Sequence, residues 1–155
     1  MKNLTSIFIL TLMDQITKFY VVETLILGES YKITNYLNIV HIQNRGLILG
    51  SFSWFNENIL FLLHLTLFLL AIFIITKFIY SNIQLRNLSI LFFSGAIGNS
   101  IDRILKGAVI DFIDIYYKNF HWPAFNFADL MISVGIIMYI FKIYFKDASI
   151  VHRNN

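Results

Sequence analysis

Long apolar runs separated by short polar segments dominate the chain. Four of them are long enough to cross a hydrocarbon layer, which takes about 20 mostly apolar residues: Leu4–Val22, Ile59–Tyr80, Leu88–Leu105 and Phe127–Phe145. Between the first and second the period changes. The stretch "YKITNYLNIVHIQNRGLILGSFSWF" mixes β-branched and aromatic residues and breaks at Asn44-Arg45-Gly46 and at Gly50, which is how short strands around a turn read. The pattern predicts a mainly α membrane protein: four transmembrane helices, with a small β-rich outer-face domain in residues 23–58, between the first two. No repeat, linker or low-complexity tract interrupts the 155 residues, so 1–155 reads as a single domain.

Composition agrees with a membrane setting. The chain is 57% apolar and 14% charged, against about 25% charged in soluble domains. It contains no cysteine, which excludes disulfides, thiolate chemistry and Cys-ligated zinc. The net charge of +3 comes from dispersed Lys and Arg and gives nucleic-acid binding little support. The first run, "IFILTLMDQITKFYVV", has a charge at its centre and no small-residue cleavage site after it, so it reads as a retained helix rather than a leader.

With a cytoplasmic N-terminus, the inside holds Lys2, Lys77, Arg86, Lys142, Lys146 and Arg153 in short segments. The outside holds Lys18, Lys32, Arg45, Arg103, Lys106 and Lys118 in longer ones. The denser positive charge favours both termini in the cytoplasm. That topology gathers the rare polar residues in one outer layer: Asp111 past the end of the third span, Asp129 at the start of the fourth, Asn99 and Arg103 one turn apart, and Asp14 and Lys18 likewise.

Each of these has an ordinary reading as well as a functional one. Ionisable groups within spans mark function by default, yet Asp14 and Lys18 also read as an intrahelical pair whose lysine reaches the interface. Asn126 followed by Asp129 has the spacing of a helix cap after Pro123. Asp111 and Asp114, taken singly, are loop carboxylates, and Asn44-Arg45-Gly46 is a turn. Ser94-Gly95-Ala96 and Gly98 read as a close helix-packing surface, and His64 as a packing residue. His41 and His121 lie among carboxylates but lack metal-ligand spacing, so no metal and no cofactor are expected. Together, two aspartates flank one hairpin between membrane helices, with Asn, Arg and Lys nearby. Two close carboxylates share a proton because both cannot easily ionise. One then acts as base toward water while the other polarises a carbonyl, which is aspartyl protease chemistry.

The motifs resemble the lipoprotein signal peptidases, or signal peptidase II. "DQITK" (Asp14 to Lys18), "NRGLILG" (Asn44 to Gly50), "GAIGNSIDR" (Gly95 to Arg103), "GAVIDFID" (Gly107 to Asp114) and "FNFADLMISVG" (Phe125 to Gly135) occur in the family's order. The resemblance implies a bacterial inner-membrane aspartyl peptidase that removes signal peptides from prolipoproteins, cutting before a diacylglyceryl-modified cysteine. It implies Asp111 and Asp129 as the catalytic pair, with Asp114 outside it. Asn44, Gly46, Asn99, Arg103 and Asn126 match positions around substrate and dyad, and Asp14 and Lys18 match supporting positions. Lipid-modified prolipoproteins and membrane lipid are the implied partners, and globomycin the implied class of inhibitor. Where the family has small residues and then phenylalanine, this chain has Leu47, Ile48 and Leu49, which alters the expected substrate cradle.

Several expectations follow from position. The partial positive charge at the fourth helix's N-terminus favours an ionised Asp129, leaving the proton on Asp111. Tyr31, Tyr36, Phe52, Trp54 and Phe55 read as interfacial, either as a substrate clamp or as anchors. Arg103 and Lys106 suit lipid phosphate or the dyad. The rivals are a non-catalytic homologue and a small proton-coupled transporter. The first fits poorly with intact acids, and the second with acids clustered on one side. An intramembrane protease of the "GxGD" kind lacks its string.

Overall fold

The computed structural model describes residues 2–46 and 86–151, with scattered positions between 56 and 76. The elements run α1 (Lys2–Thr24), β1 (Ser30–Lys32), β2 (Leu37–Asn44), α2 (Arg86–Lys106), β3 (Val109–Tyr117), β4 (Phe120–His121) and α3 (Phe127–Val151). Three expected spans thus coincide with helices, each a little longer than predicted. The span expected over 59–80 lies largely outside the described residues, and its scattered described positions from Ile59 to Thr76 are helical. Leu47–Leu49, Gly50, Phe52, Trp54, Phe55 and His64 also lie outside. Among the described residues, one helix, Asn3–Thr24, is by itself long and apolar enough to cross a membrane.

α1 is inverted relative to a helix of a water-soluble protein. On α1, Thr11, Asp14, Lys18 and Val21 recur at three- and four-residue spacing and are buried. The opposite side carries Phe8 at 67% and Phe19 at 64% exposure. A soluble helix hides its apolar stripe. Here the polar stripe faces the other helices and the apolar one faces outward, as hydrocarbon requires of groups that need partners. α1 and α3 both pack against α2. Small residues allow the close approach: a Cβ on Gly95 would collide with the Ala128 carbonyl oxygen, and one on Gly98 with the Asp14 carboxylate. The packing surface expected of this stretch is present.

The four strands form one antiparallel sheet in the order β1-β2-β3-β4. β1 and β2 fall in the expected segment, but half of the strands come from residues 109–121, between α2 and α3. The domain is therefore built from both connections, which corrects the expectation of a sheet confined to residues 23–58. "VIDFIDIYY" is dense in β-branched and aromatic residues, so it extends along β2 with Asn38 opposite Asp114 and Ile42 opposite Asp111. The register shifts between Ile39 and Ile42. Gly107, at φ +69°, ends α2 and donates its N–H to the Arg103 carbonyl at 3.1 Å, turning the chain into β3. Val21, Ile110 and Phe112, with Leu25, Ile39, Ile113 and Phe127 around them, form the core that joins sheet to helices.

Candidate active site

Asp129 stands at the third position of α3, where the helix leaves N–H groups without partners. Asn126 and Asp129 cap that end reciprocally: the Asp129 N–H donates to Asn126 Oδ1 at 2.9 Å, and the Asn126 N–H to Asp129 Oδ2 at 3.2 Å. The capping reading of the sequence is correct, and the same two residues also do more. Asn126 is fully buried, and its Nδ2 donates to Asp111 Oδ1 at 2.7 Å and to Asn99 Oδ1 at 3.1 Å. Asn99 Nδ2 donates to Asp129 Oδ1 at 2.8 Å. Asn44 Nδ2 donates to Asp111 Oδ2 at 2.9 Å, while Asn44 Oδ1 takes the Gly46 N–H at 3.0 Å. One asparagine therefore bridges two carboxylates that are 18 residues apart in sequence, and two further asparagines hold their outer oxygens.

Asp111 is not a loop residue. It lies within β3 at 3% exposure. Burial raises its pKa to about 6, the Asn44 hydrogen bond opposes this, and the nearby Asp129 charge adds to it. The hydrogen bond from Asn126 and the charge of Lys18 pull the other way. A carboxyl group that titrates near neutrality beside a second carboxylate can keep a proton that its neighbour lacks.

Beneath this pair lies a buried ionic cluster. Lys18 Nζ is 2.8 Å from Asp14 Oδ2, 2.8 Å from Asp102 Oδ2 and 2.9 Å from Asn99 Oδ1. Asp14 Oδ1 accepts the Ala128 N–H at 2.9 Å, in the first turn of α3. The Asp14–Lys18 pair exists as read from spacing, but Lys18 does not reach an interface: its side chain is 0% exposed. Two carboxylates and an amide oxygen surround the ammonium, which keeps its charge inside, although Asp102 Oδ2 meets it as an ion pair without hydrogen-bond geometry. Arg103 lies near enough to Asp129, Asp111 and Asp102 for its charge to act on all three, and its buried Nε faces no acceptor among the described residues.

Asp114 belongs to a different cluster. It accepts from Asn38 Nδ2 at 2.8 Å and lies 2.9 Å from His121 Nδ1, whose ring stacks on Tyr116. His41 Nδ1 lies 2.8 Å from the Leu25 carbonyl oxygen. Among the described residues, no three His, Cys, Asp or Glu side chains converge as a metal-binding group. Asp102 is the site-proximal residue that the sequence reading passed over. An aspartate inside an apolar span, three residues after Asn99 and beside Arg103, carried the same signal as Asp14.

Residues 6–145 match the model of the family described as signal peptidase (SPase) II. A lipoprotein signal peptidase of Thermodesulfovibrio yellowstonii is 38% identical over 146 residues, covering 91% of this chain and 93% of the relative. One from Geobacter metallireducens is 41% identical over 128 residues, covering 81% and 79%. A bacterial membrane enzyme solved by the in meso method at 2.3 Å superposes with a TM-score of 0.79 at 30% identity, over 96% of this chain and 90% of that one. With both sequence and fold matched along nearly its whole length, the chain belongs to the signal peptidase II family.

Proposed function

We propose that this chain is an aspartic endopeptidase of the bacterial cytoplasmic membrane that cleaves prolipoproteins before a diacylglyceryl-modified cysteine. Asp111 and Asp129 form its catalytic dyad. The observation that carries this reading is the Asn126 bridge, which engages both carboxylates at once. Asp129, receiving the Asn99 amide and the Asn126 N–H at a helix N-terminus, is the ionised member. Asp111, buried and titrating near 6, is the member that holds the shared proton below that pH. Asp129 takes a proton from water as the water oxygen bonds to the scissile carbonyl carbon, while Asp111 donates a hydrogen bond to the carbonyl oxygen. The C–N bond then breaks as the leaving amine takes the proton held by Asp129, with no covalent acyl-enzyme.

Both connections that build the sheet, and the site itself, lie at one end of the helices: the C-terminal half of α1, the C-terminal end of α2 and the N-terminal end of α3. With both termini cytoplasmic, that end faces outward, at the depth where an acylated cysteine keeps its scissile bond near the surface. Four spans within one domain, 1–155, fit this arrangement. Tyr31 and Tyr36, 63% and 61% exposed, suit the lipid interface. The buried Arg103 Nε, a donor with no partner among the described residues, is left for the substrate that fills the site, and globomycin-type inhibitors compete there.

The test is cleavage of a lipid-modified prolipoprotein by purified protein. Asp111→Asn and Asp129→Asn each lose at least about 1,000-fold in kcat, whereas folded Asp114→Asn retains activity. Activity surviving Asp111→Asn overturns the dyad.

A further inference from the structure

Asp102 is one of the largest fully buried side chains among the described residues, yet it touches neither aspartate of the dyad through the hydrogen bonds above. Its Oδ2 lies 2.8 Å from Lys18 Nζ and its Oδ1 lies 3.2 Å from Lys106 Nζ. A buried carboxylate between two ammonium groups is costly unless both are held, so its placement calls for a reason. Lys18 is the link. It donates to Asn99 Oδ1, so the other end of that amide, Nδ2, faces Asp129 Oδ1. Asn99 Oδ1 also receives the Asn126 amide that serves Asp111. If Lys18 moved, Asn99 Oδ1 would keep only the longer contact from Asn126, at 3.1 Å, and the amide would be held less firmly in the orientation that turns Nδ2, rather than a repelling oxygen, toward Asp129.

We propose that Asp102 is a positioning residue: it holds the Lys18 ammonium against Asn99, and through that amide it sets how the proton is shared between Asp111 and Asp129. This deepens the dyad reading and rests on it. The charged groups facing the cluster are Asp14 and Lys18 from α1, Arg103 and Lys106 from α2, Asp129 from α3 and Asp111 from β3. Lys18 pulls Asp111 toward ionisation. Asp102 offsets part of that pull, and Lys106, on the far oxygen, offsets part of Asp102. The two neighbours therefore act on the dyad with opposite signs. A residue serving only to tie helices together has no such signature.

The experiment records pH–activity profiles of full-length protein on a lipid-modified prolipoprotein, for wild type, Asp102→Asn, Lys106→Met and Asp111→Asn. Asp102→Asn leaves Asp14 as the one carboxylate paired with Lys18 among the described residues, so more of the Lys18 charge acts on the dyad and the alkaline limb moves down by roughly half to one pH unit. Its kcat falls about tenfold while KM stays within about twofold. Lys106→Met, at a side chain 37% exposed, exposes more of the Asp102 charge and moves the limb up by a few tenths of a unit. If Asp102→Asn does not fold, the Lys106→Met arm decides alone. Limbs that coincide with wild type, or that move in the same direction, overturn the proposal while leaving the dyad intact, provided wild type cleaves and Asp111→Asn does not. Cleavage retained by Asp111→Asn, or no cleavage by folded wild type, overturns the dyad reading and this inference with it.

Discussion

Asp111 binds its proton more tightly in the folded protein than an ordinary aspartate does, at about 6 against 3.8. The sign of the linkage follows. The native state holds more protons than the unfolded chain between these values, so the group's contribution to stability is full below about pH 4 and is lost as pH rises through about 6. Asp111→Asn is therefore expected to raise the melting temperature at pH 8, by at most about 3 kcal/mol of stability. The gain is reduced because an amide offers one acceptor oxygen to the two asparagine donors, and it vanishes near pH 4. A variant less stable than wild type in detergent at pH 8 contradicts this account. Asn126→Ala removes the side-chain cap on the Asp129 N–H and the amide that serves Asp111, while the backbone N–H to the Asp129 carboxylate stays. Stability falls by about 1–2 kcal/mol, while kcat on the lipid-modified substrate falls by about 100-fold or more. Equal losses of cleavage and folded protein would make Asn126 a cap only.

Among the elements, the closeness of α2 to its neighbours is the constraint. Gly98 leaves room for the Asp14 carboxylate, which in turn caps the Ala128 N–H. Gly98→Ala is expected to cost about 1–3 kcal/mol, since the new methyl meets a fully paired charged group that has nowhere to retreat. Unchanged thermal stability would show that the helices separate easily. The helices themselves were legible as apolar runs, and the Asn126–Asp129 cap as a spacing. β3 was harder to see because its two aspartates drew it toward a loop, although Ile110, Phe112, Ile113 and Ile115 between them carry strand character. The fate of Lys18 was not legible at all from its own helix. Its partners Asn99 and Asp102 lie more than 80 residues away, and without a long-range acceptor a lysine is expected to reach for water.

At the scale of the molecule, the buried charged and amide groups gather where the three helices meet the sheet, beside an apolar core, and large apolar residues cover the outward faces of α1 and α3. The absence of cysteine makes the orientation directly measurable. Asn119→Cys, in the exposed β3–β4 turn, is expected to react with a membrane-impermeant maleimide from outside the cell. Asn82→Cys, between the second and third predicted spans, should react only after the membrane is opened. The reverse result would invert the topology.

The most direct test compares one prolipoprotein with and without its diacylglyceryl group, incubated with folded wild type and with Asp111→Asn, the products being mapped by mass spectrometry. The account predicts a single cut on the N-terminal side of the modified cysteine, made by wild type only and on the lipidated substrate only. Equal cleavage of the unmodified precursor, or a cut by Asp111→Asn, would contradict it.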